Sequence, residues 1–148
     1  MKNILLYLCF MPLFVQAQMN RDKSVINNLI KAQVPELLFQ KKPAEMINLI
    51  TDSYTQVNYF KGVKDDNIIN GKDKALEYFN LLVEDDFKSI SFTIKNLDIY
   101  NDKAVAIGYY IITYNNPQKP VLVAEFIMTL VKNGEYGWLI DQEIDLAF

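Results

Sequence analysis

The side chains in this sequence that can move protons near neutral pH are carboxyls. It has no histidine, one cysteine and nine tyrosines, with eighteen Asp plus Glu against fifteen Lys plus Arg. A Ser-His-Asp or Cys-His arrangement is therefore impossible. Once Cys9 is lost with the amino-terminal segment described below, a zinc site would have only carboxylates to draw on, which is not the usual ligand set. No GxGxxG run and no phosphate-binding loop occurs. A general acid or base would have to be an Asp or Glu whose pKa is raised by burial, working beside a tyrosine hydroxyl.

Three groups of residues deserve weighing on that basis. Glu125 lies in a run with Val121, Val123, Ile127 and Thr129 on the same face. Buried there it would be an acid or base; the simpler reading is a solvated carboxylate or one paired with a lysine. Asp141, Glu143 and Asp145 alternate onto one face of the last run, and three like charges read as a solvated face. Tyr54, Tyr59, Tyr109, Tyr110 and Tyr114 can line a pocket or simply fill a sheet. A calcium loop is nearly spelled by Asp66, Asn70, Gly71 and Glu77, but Ile68 occupies a ligand position and Asp73 an apolar one. No metal and no cofactor is expected.

These residues sit on elements with readable signals. Met1-Lys2-Asn3, the apolar run Ile4 to Val15 and the small-residue end Val15-Gln16-Ala17 have the layout of a secretory signal peptide, residues 1–17. The run is shorter than the roughly 20 residues that cross a bilayer. Cleavage after Ala17 leaves one domain, residues 18–148, without Cys9 and hence without any disulfide. The expected location is periplasmic or extracellular. The net charge of −3 becomes one unit more negative, and lacks the basic footprint of a nucleic-acid binder. No later run is apolar enough for a membrane span.

Ser24 to Gln40 has helical spacing with Ser24 as a cap, broken or kinked at Pro35, and Pro43 to Leu49 is a short second helix. Tyr54 to Phe60 reads as a strand, Gly62 to Asn70 as a polar loop, and Gly71 to Glu84 as a helix. From Phe87 the period becomes two. The phase slips at Asn96, which suggests a β-bulge. Lys103 to Tyr114, Val121 to Lys132 and Tyr136 to Leu146 complete four long strands joined by turns. Helices followed by a run of strands argue an α+β domain. Apolar residues on both faces of two strands point to a homodimer through the sheet.

The order of elements resembles the NTF2-like superfamily, which includes SnoaL-like cyclases and ketosteroid isomerase-like proteins. Gly71-Lys72-Asp73-Lys74-Ala75-Leu76-Glu77-Tyr78-Phe79 resembles its glycine-led third helix. Phe126 to Gly134 resembles a penultimate strand entering a turn, and Gly137-Trp138-Leu139-Ile140 the tryptophan motif of the last strand. The similarity spans about Ser24 to Phe148. It implies a cone: N-terminal helices packed on a curved, mainly antiparallel, bulged sheet. Several catalytic relatives use a pocket histidine just after the tryptophan motif. Here that stretch reads Asp141-Gln142-Glu143, and an amide cannot titrate.

If Trp138, Ile140 and Gln142 share the inward face, as side chains two apart on a strand do, a pocket lined by Tyr54, Tyr59, Tyr110, Trp138 and Gln142 is expected. Its ligand is expected to be a small apolar or amphipathic molecule. Two other readings stay open: a histidine-free isomerase or dehydratase using Tyr with Asp or Glu, and a dimeric interaction module.

Overall fold

Alternating apolar and polar residues from Phe87 onward build four long antiparallel strands, and the helical patterns before them supply the layer that covers one face. A computed structural model of the chain describes residues 3–60, 67–134 and 137–147. Met1-Lys2, the start of the expected basic segment, lies outside the described residues, as do Asp66 of the near-calcium loop, most of the expected Gly62–Asn70 loop, Glu135, Tyr136 and Phe148.

Helix α1 runs Asn3–Asn28, so Ser24 lies inside a helix rather than capping one. No Gly or Pro stands between Ala17 and Ser24 to stop it. A π-turn, Leu29–Gln33, follows, with the Val34 amide donating to the Leu29 carbonyl, and α2 spans Val34–Phe39 with Pro35 in its first turn. Proline has no N–H and its ring crowds the preceding turn; widening the helix there relieves both faults without a break. α3, Pro43–Met46, and a 3₁₀ turn, Ile47–Leu49, lead into the sheet.

Strand β1 is Ile50–Phe60, β2 is Asn67–Asn70, and α4 is Gly71–Leu82. Part of the expected polar loop is thus strand, paired with Thr55 to Asn58 of β1. Gly71 opens α4 at φ +75°, a left-handed conformation that favours glycine. Strands β3, Phe87–Tyr100, β4, Lys103–Tyr114, β5, Leu122–Asn133, and β6, Gly137–Ala147, form the meander. The open six-stranded sheet has the order β2-β1-β6-β5-β4-β3, antiparallel except where β1 meets β6.

Register shifts bend this sheet. One lies between Ile94 and Asn96 of β3, where the sequence pattern slips. It faces Gly108 of β4, where an added Cβ would meet the Thr93 carbonyl oxygen at 2.0 Å and the Phe126 ring at 2.8 Å. Only glycine lets β3, β4 and the fully buried Phe126 approach this closely. A second shift, between Thr129 and Leu130 of β5, pairs Thr129 with Gln142 but Leu130 with Ile140, leaving Asp141 without a partner on β5. A third separates Ile50 from Thr55 of β1. Ile26, Ile30, Leu38, Ala75 and Phe79 of the helical layer meet Phe126, Met128, Leu130 and Ile140 of the sheet in one core.

Candidate functional site

The bulge at Asp141 decides what faces the interior. Before it, Trp138 and Ile140 point inward and are buried at 3 % exposure each. After it, the inward positions are Glu143, Asp145 and Ala147, which stand opposite Met128, Phe126 and Ala124 of β5. Gln142 is turned outward and exposed. The expectation that Trp138, Ile140 and Gln142 share a face is therefore corrected: one inserted residue flips every side chain beyond it. The same flip overturns the reading of Glu143 and Asp145 as a solvated face. Asp145 is 3 % exposed and Glu143 is half-buried. Asp141 alone is sent toward the β1 edge, where its Oδ1 accepts from Thr51 Oγ1 at 2.6 Å and Ser53 Oγ at 3.0 Å.

Between helices and sheet lies a cavity of ≈ 220 Å³. Leu38, Met46, Phe79, Ile112, Met128 and Ile140 give it apolar walls. Tyr54, Gln56, Tyr78, Tyr110, Glu143 and Asp145 gather on its polar side. β1 delivers Tyr54, Gln56 and Asn58 by simple alternation, and its parallel pairing with β6 sets Gln56 beside Glu143 and Asn58 beside Asp145. α4 contributes Tyr78 and Phe79, whose ring lies 6.5 Å from that of Tyr54. Phe92 packs on Tyr110 at 5.2 Å and on Phe126 at 5.7 Å.

The polar side chains form one chain of hydrogen bonds. The Tyr54 hydroxyl donates to Glu143 Oε2 at 2.8 Å and lies 3.0 Å from Gln56 Oε1. The Gln56 amide donates to Asp145 Oδ2 at 2.8 Å and to Asn58 Oδ1 at 3.0 Å. Two buried atoms, Asp145 Oδ1 and Asn58 Nδ2, have no hydrogen-bond partner among the described residues. Burial raises the Asp145 carboxyl to about 7, against a smaller opposing pull from the Gln56 amide. Burial, and then the neighbouring Asp145 charge, push Glu143 well above the usual carboxylate range, although its bond from Tyr54 works the other way. Burial and these same carboxyls hold Tyr54, Tyr78 and Tyr110 in the neutral hydroxyl form. At neutral pH the cavity thus offers neutral hydroxyls beside two carboxyls that compete for charge, the ingredients of acid–base chemistry.

Of the five residues expected in a pocket, Tyr54 and Tyr110 line this cavity. Tyr59 does not: it alternates with Asn58 onto the outer face and is 43 % exposed. Gln142 is on that outer face too. Trp138 is inward but lies beyond the cavity wall, where its indole donates to Asp22 Oδ1 at 3.1 Å. Lys132 Nζ is 2.8 Å from Asp22 Oδ2 and 5.6 Å from the Trp138 ring centroid. Burial raises the Asp22 carboxyl, but bonds from Lys132, Trp138 and Gln18 outweigh it and bring its pKa below the ordinary value. This knot ties α1 to the sheet. Of the other tyrosines considered, Tyr114 lies on the cavity wall and Tyr109 is half-buried beneath Lys95. Glu125 is exposed, with Lys95 Nζ at 3.6 Å. No group of three or more potential metal ligands occurs among the described residues.

Helices covering one face of a bent, open, mixed sheet, with a cavity between them, define the NTF2-like cone. Solved structures of low sequence identity share it. An NTF2-like superfamily protein from Salmonella enterica matches with a TM-score of 0.69 at 13% identity, over 87% of this chain and 92% of its own. An NTF2-like protein with a cystatin-like fold from Novosphingobium aromaticivorans gives 0.72 at 13%, over 92% and 88%. A ketosteroid isomerase-like protein from Erwinia carotovora gives 0.61 at 14%, over 76% and 86%. No protein-family model and no curated protein matches the sequence. The chain therefore has the NTF2-like fold, and function must be argued from its own cavity.

Proposed function

We propose that this protein is an exported carrier or receptor for a small, largely apolar molecule, held in the cone without covalent chemistry. The observation that carries this reading is the ≈ 220 Å³ cavity itself, with apolar walls and one concentrated polar side. Export rests on the residue pattern of 1–17. In keeping with it, Gln16 to Arg21 are exposed, and Asp22, which follows them, is buried. Loss of residues 1–17 removes none of the Asp22 knot. Association into a homodimer is supported by the outer sheet face, where Ile107 and Val123 are 40 % and 45 % exposed.

The test uses prodan, an uncharged dye whose emission reports polarity. Binding with a blue-shifted emission, and loss of that signal in Ile112→Phe with an unchanged circular dichroism spectrum, is the expected result. No binding of prodan by the folded protein sinks the cavity reading.

A second reading is favoured by one specific observation. Asp145, raised to about 7, shares a hydrogen-bonded chain with the Tyr54 hydroxyl. That is the carboxyl-plus-phenol set a histidine-free isomerase or dehydratase needs. Exchange of α-hydrogens of a cyclic ketone for deuterium, followed by NMR, discriminates. Catalysed exchange that Asp145→Asn abolishes establishes the enzyme.

A further inference from the structure

We propose that the polar side of the cavity binds the ammonium group of a small hydrophobic amine, with Glu143 and Asp145 as its counter-ions and tyrosine rings around it. This rests on the small-molecule-binding reading and adds the charge of the ligand.

Four observations point to a cation. Among the described residues, the charged ones on the cavity wall are Asp85, Glu143 and Asp145, and no Lys or Arg lines it. Asp85 is already matched: Lys119 pairs with it and sits 4.6 Å over the Tyr114 ring. Glu143 and Asp145 have no such cation among the described residues, yet they stand two residues apart on one face of β6. An ion pair with a ligand would remove the repulsion that now resists ionising both.

Next, Asp145 is nine-tenths buried and more, and its Oδ1 lacks any partner among the described residues. An unmatched buried acceptor costs stability, and a ligand N–H is the complement it lacks. An ammonium carries three such donors. Finally, Tyr54, Tyr78 and Tyr110 present aromatic rings on the same side, and their faces attract cations.

An anionic ligand meets the opposite situation. It would be placed against two carboxyls in a region with little water to screen them. A neutral ligand gains from the apolar walls but leaves the carboxyl pair as it found it. For the ammonium, the usual cost of burying an ion pair is reduced, because the protein has already stripped water from its half of the pair.

The groups facing the pair are Tyr54 and Gln56 from β1, Tyr78 from α4, and Tyr110 and Tyr114 from β4, with Asp85 following α4. The tyrosines stay neutral through the pH range of interest. The pH dependence of binding therefore comes from Glu143 and Asp145. Amine binding strengthens as pH rises and these carboxyls lose their protons, and it releases protons where they are still held.

The experiment compares 2-phenylethylamine, 2-phenylethanol and 3-phenylpropionate, one skeleton in three charge states, by calorimetry on the unaltered protein at pH 8. The expected result is amine affinity at least about tenfold above the alcohol, and no measurable carboxylate binding. Between pH 8 and pH 5.5 the amine should weaken at least about tenfold, with proton release seen as a dependence of the heat on buffer. Glu143→Gln and Asp145→Asn should bring the amine down to the level of the alcohol bound by the same variant. Alcohol or carboxylate binding as tightly as the amine overturns the proposal, and so does an amine preference that survives both substitutions. If prodan binds and none of the three does, the amine inference fails alone. If prodan also fails, the cavity reading fails with it. The comparison of three ligands stands even if a variant does not fold.

Discussion

Asp145→Asn should make the protein more stable at pH 8 and less stable at pH 4.5. The carboxyl rises from its ordinary 3.8 to about 7 in the folded chain. A raised folded-state pKa means that the native state holds the proton more tightly than the unfolded chain does. The associated stability is fully present below about 4 and is lost as pH rises through about 7. Roughly three units at about 1.4 kcal/mol each give a loss of ~4 kcal/mol across that window. Asparagine carries no charge, so it does not suffer this loss. Its carbonyl can still accept from Gln56, but its amide then stands where Oδ1 has no partner among the described residues and leaves buried donors unmatched. Those unmatched donors cost about 1–3 kcal/mol at every pH. The net expectation is a gain of ~1–3 kcal/mol at pH 8 and a loss of ~1–3 kcal/mol near pH 4. Urea unfolding of both proteins at pH 4.5, 6 and 8 measures it; carboxyls other than Glu143 largely cancel in the difference, and Glu143, relieved of the Asp145 charge, adds to the gain at pH 8. A stability difference of constant sign and size across the three pH values would refute the reasoning, because Asp145 would then not titrate in this window.

Four shorter predictions accompany it. Gly108→Ala should destabilise by at least about 2 kcal/mol in thermal unfolding, since the new Cβ would meet the Thr93 carbonyl at 2.0 Å and neither strand can move freely. Asp22→Ala should cost about 1–3 kcal/mol and shift the emission of Trp138, the one tryptophan in the sequence, by removing the partner of its indole N–H and of Lys132. Light scattering at micromolar concentration should give a dimer mass, and Val123→Lys on the exposed face should reduce it to that of a monomer. Mass spectrometry of protein recovered outside the cytoplasm should find Gln18 at the amino terminus; intact Met1-Lys2 there would contradict export by cleavage.

Two bulges show how much of the fold and site the sequence made legible. In β3 the apolar residues change phase with the backbone: Ile90, Phe92 and Ile94 before the slip, Leu97 and Ile99 after it. The hydrophobic pattern there reports the bend. In β6 they do not change phase. Trp138, Ile140, Ile144 and Leu146 are all two apart or a multiple of two, and a regular strand would bury them together. The bulge at Asp141 instead buries Glu143 and Asp145 and leaves Ile144 and Leu146 on the other face, half-buried. Local pattern alone pointed to the wrong side, so Gln142 was expected inward and the two carboxyls outward.

The nature of that mismatch is informative. Patterning works because apolar burial stabilises and carboxyl burial does not, so a strand normally settles with its apolar face inward. Here β6 is held in the opposite register by its neighbours: β1 runs parallel to it with Tyr54, Gln56 and Asn58 inward, all polar, and β5 pairs with it on both sides of the bulge. Gln56 and Asn58 would themselves be stranded against an aliphatic β6, so the polar side chains of the two strands require one another. The buried amides and carboxyls bond mostly to each other, yet Asp145 Oδ1 and Asn58 Nδ2 remain unmatched among the described residues. A purely structural polar core gains nothing from leaving an acceptor open beside a cavity. Sequence rules are expected to fail in folded proteins where a site needs what stability opposes. The failure in β6 coincides with the cavity, its raised carboxyls and its unmatched acceptor, and on that coincidence we propose Glu143 and Asp145, rather than the tryptophan motif, as the functional side chains.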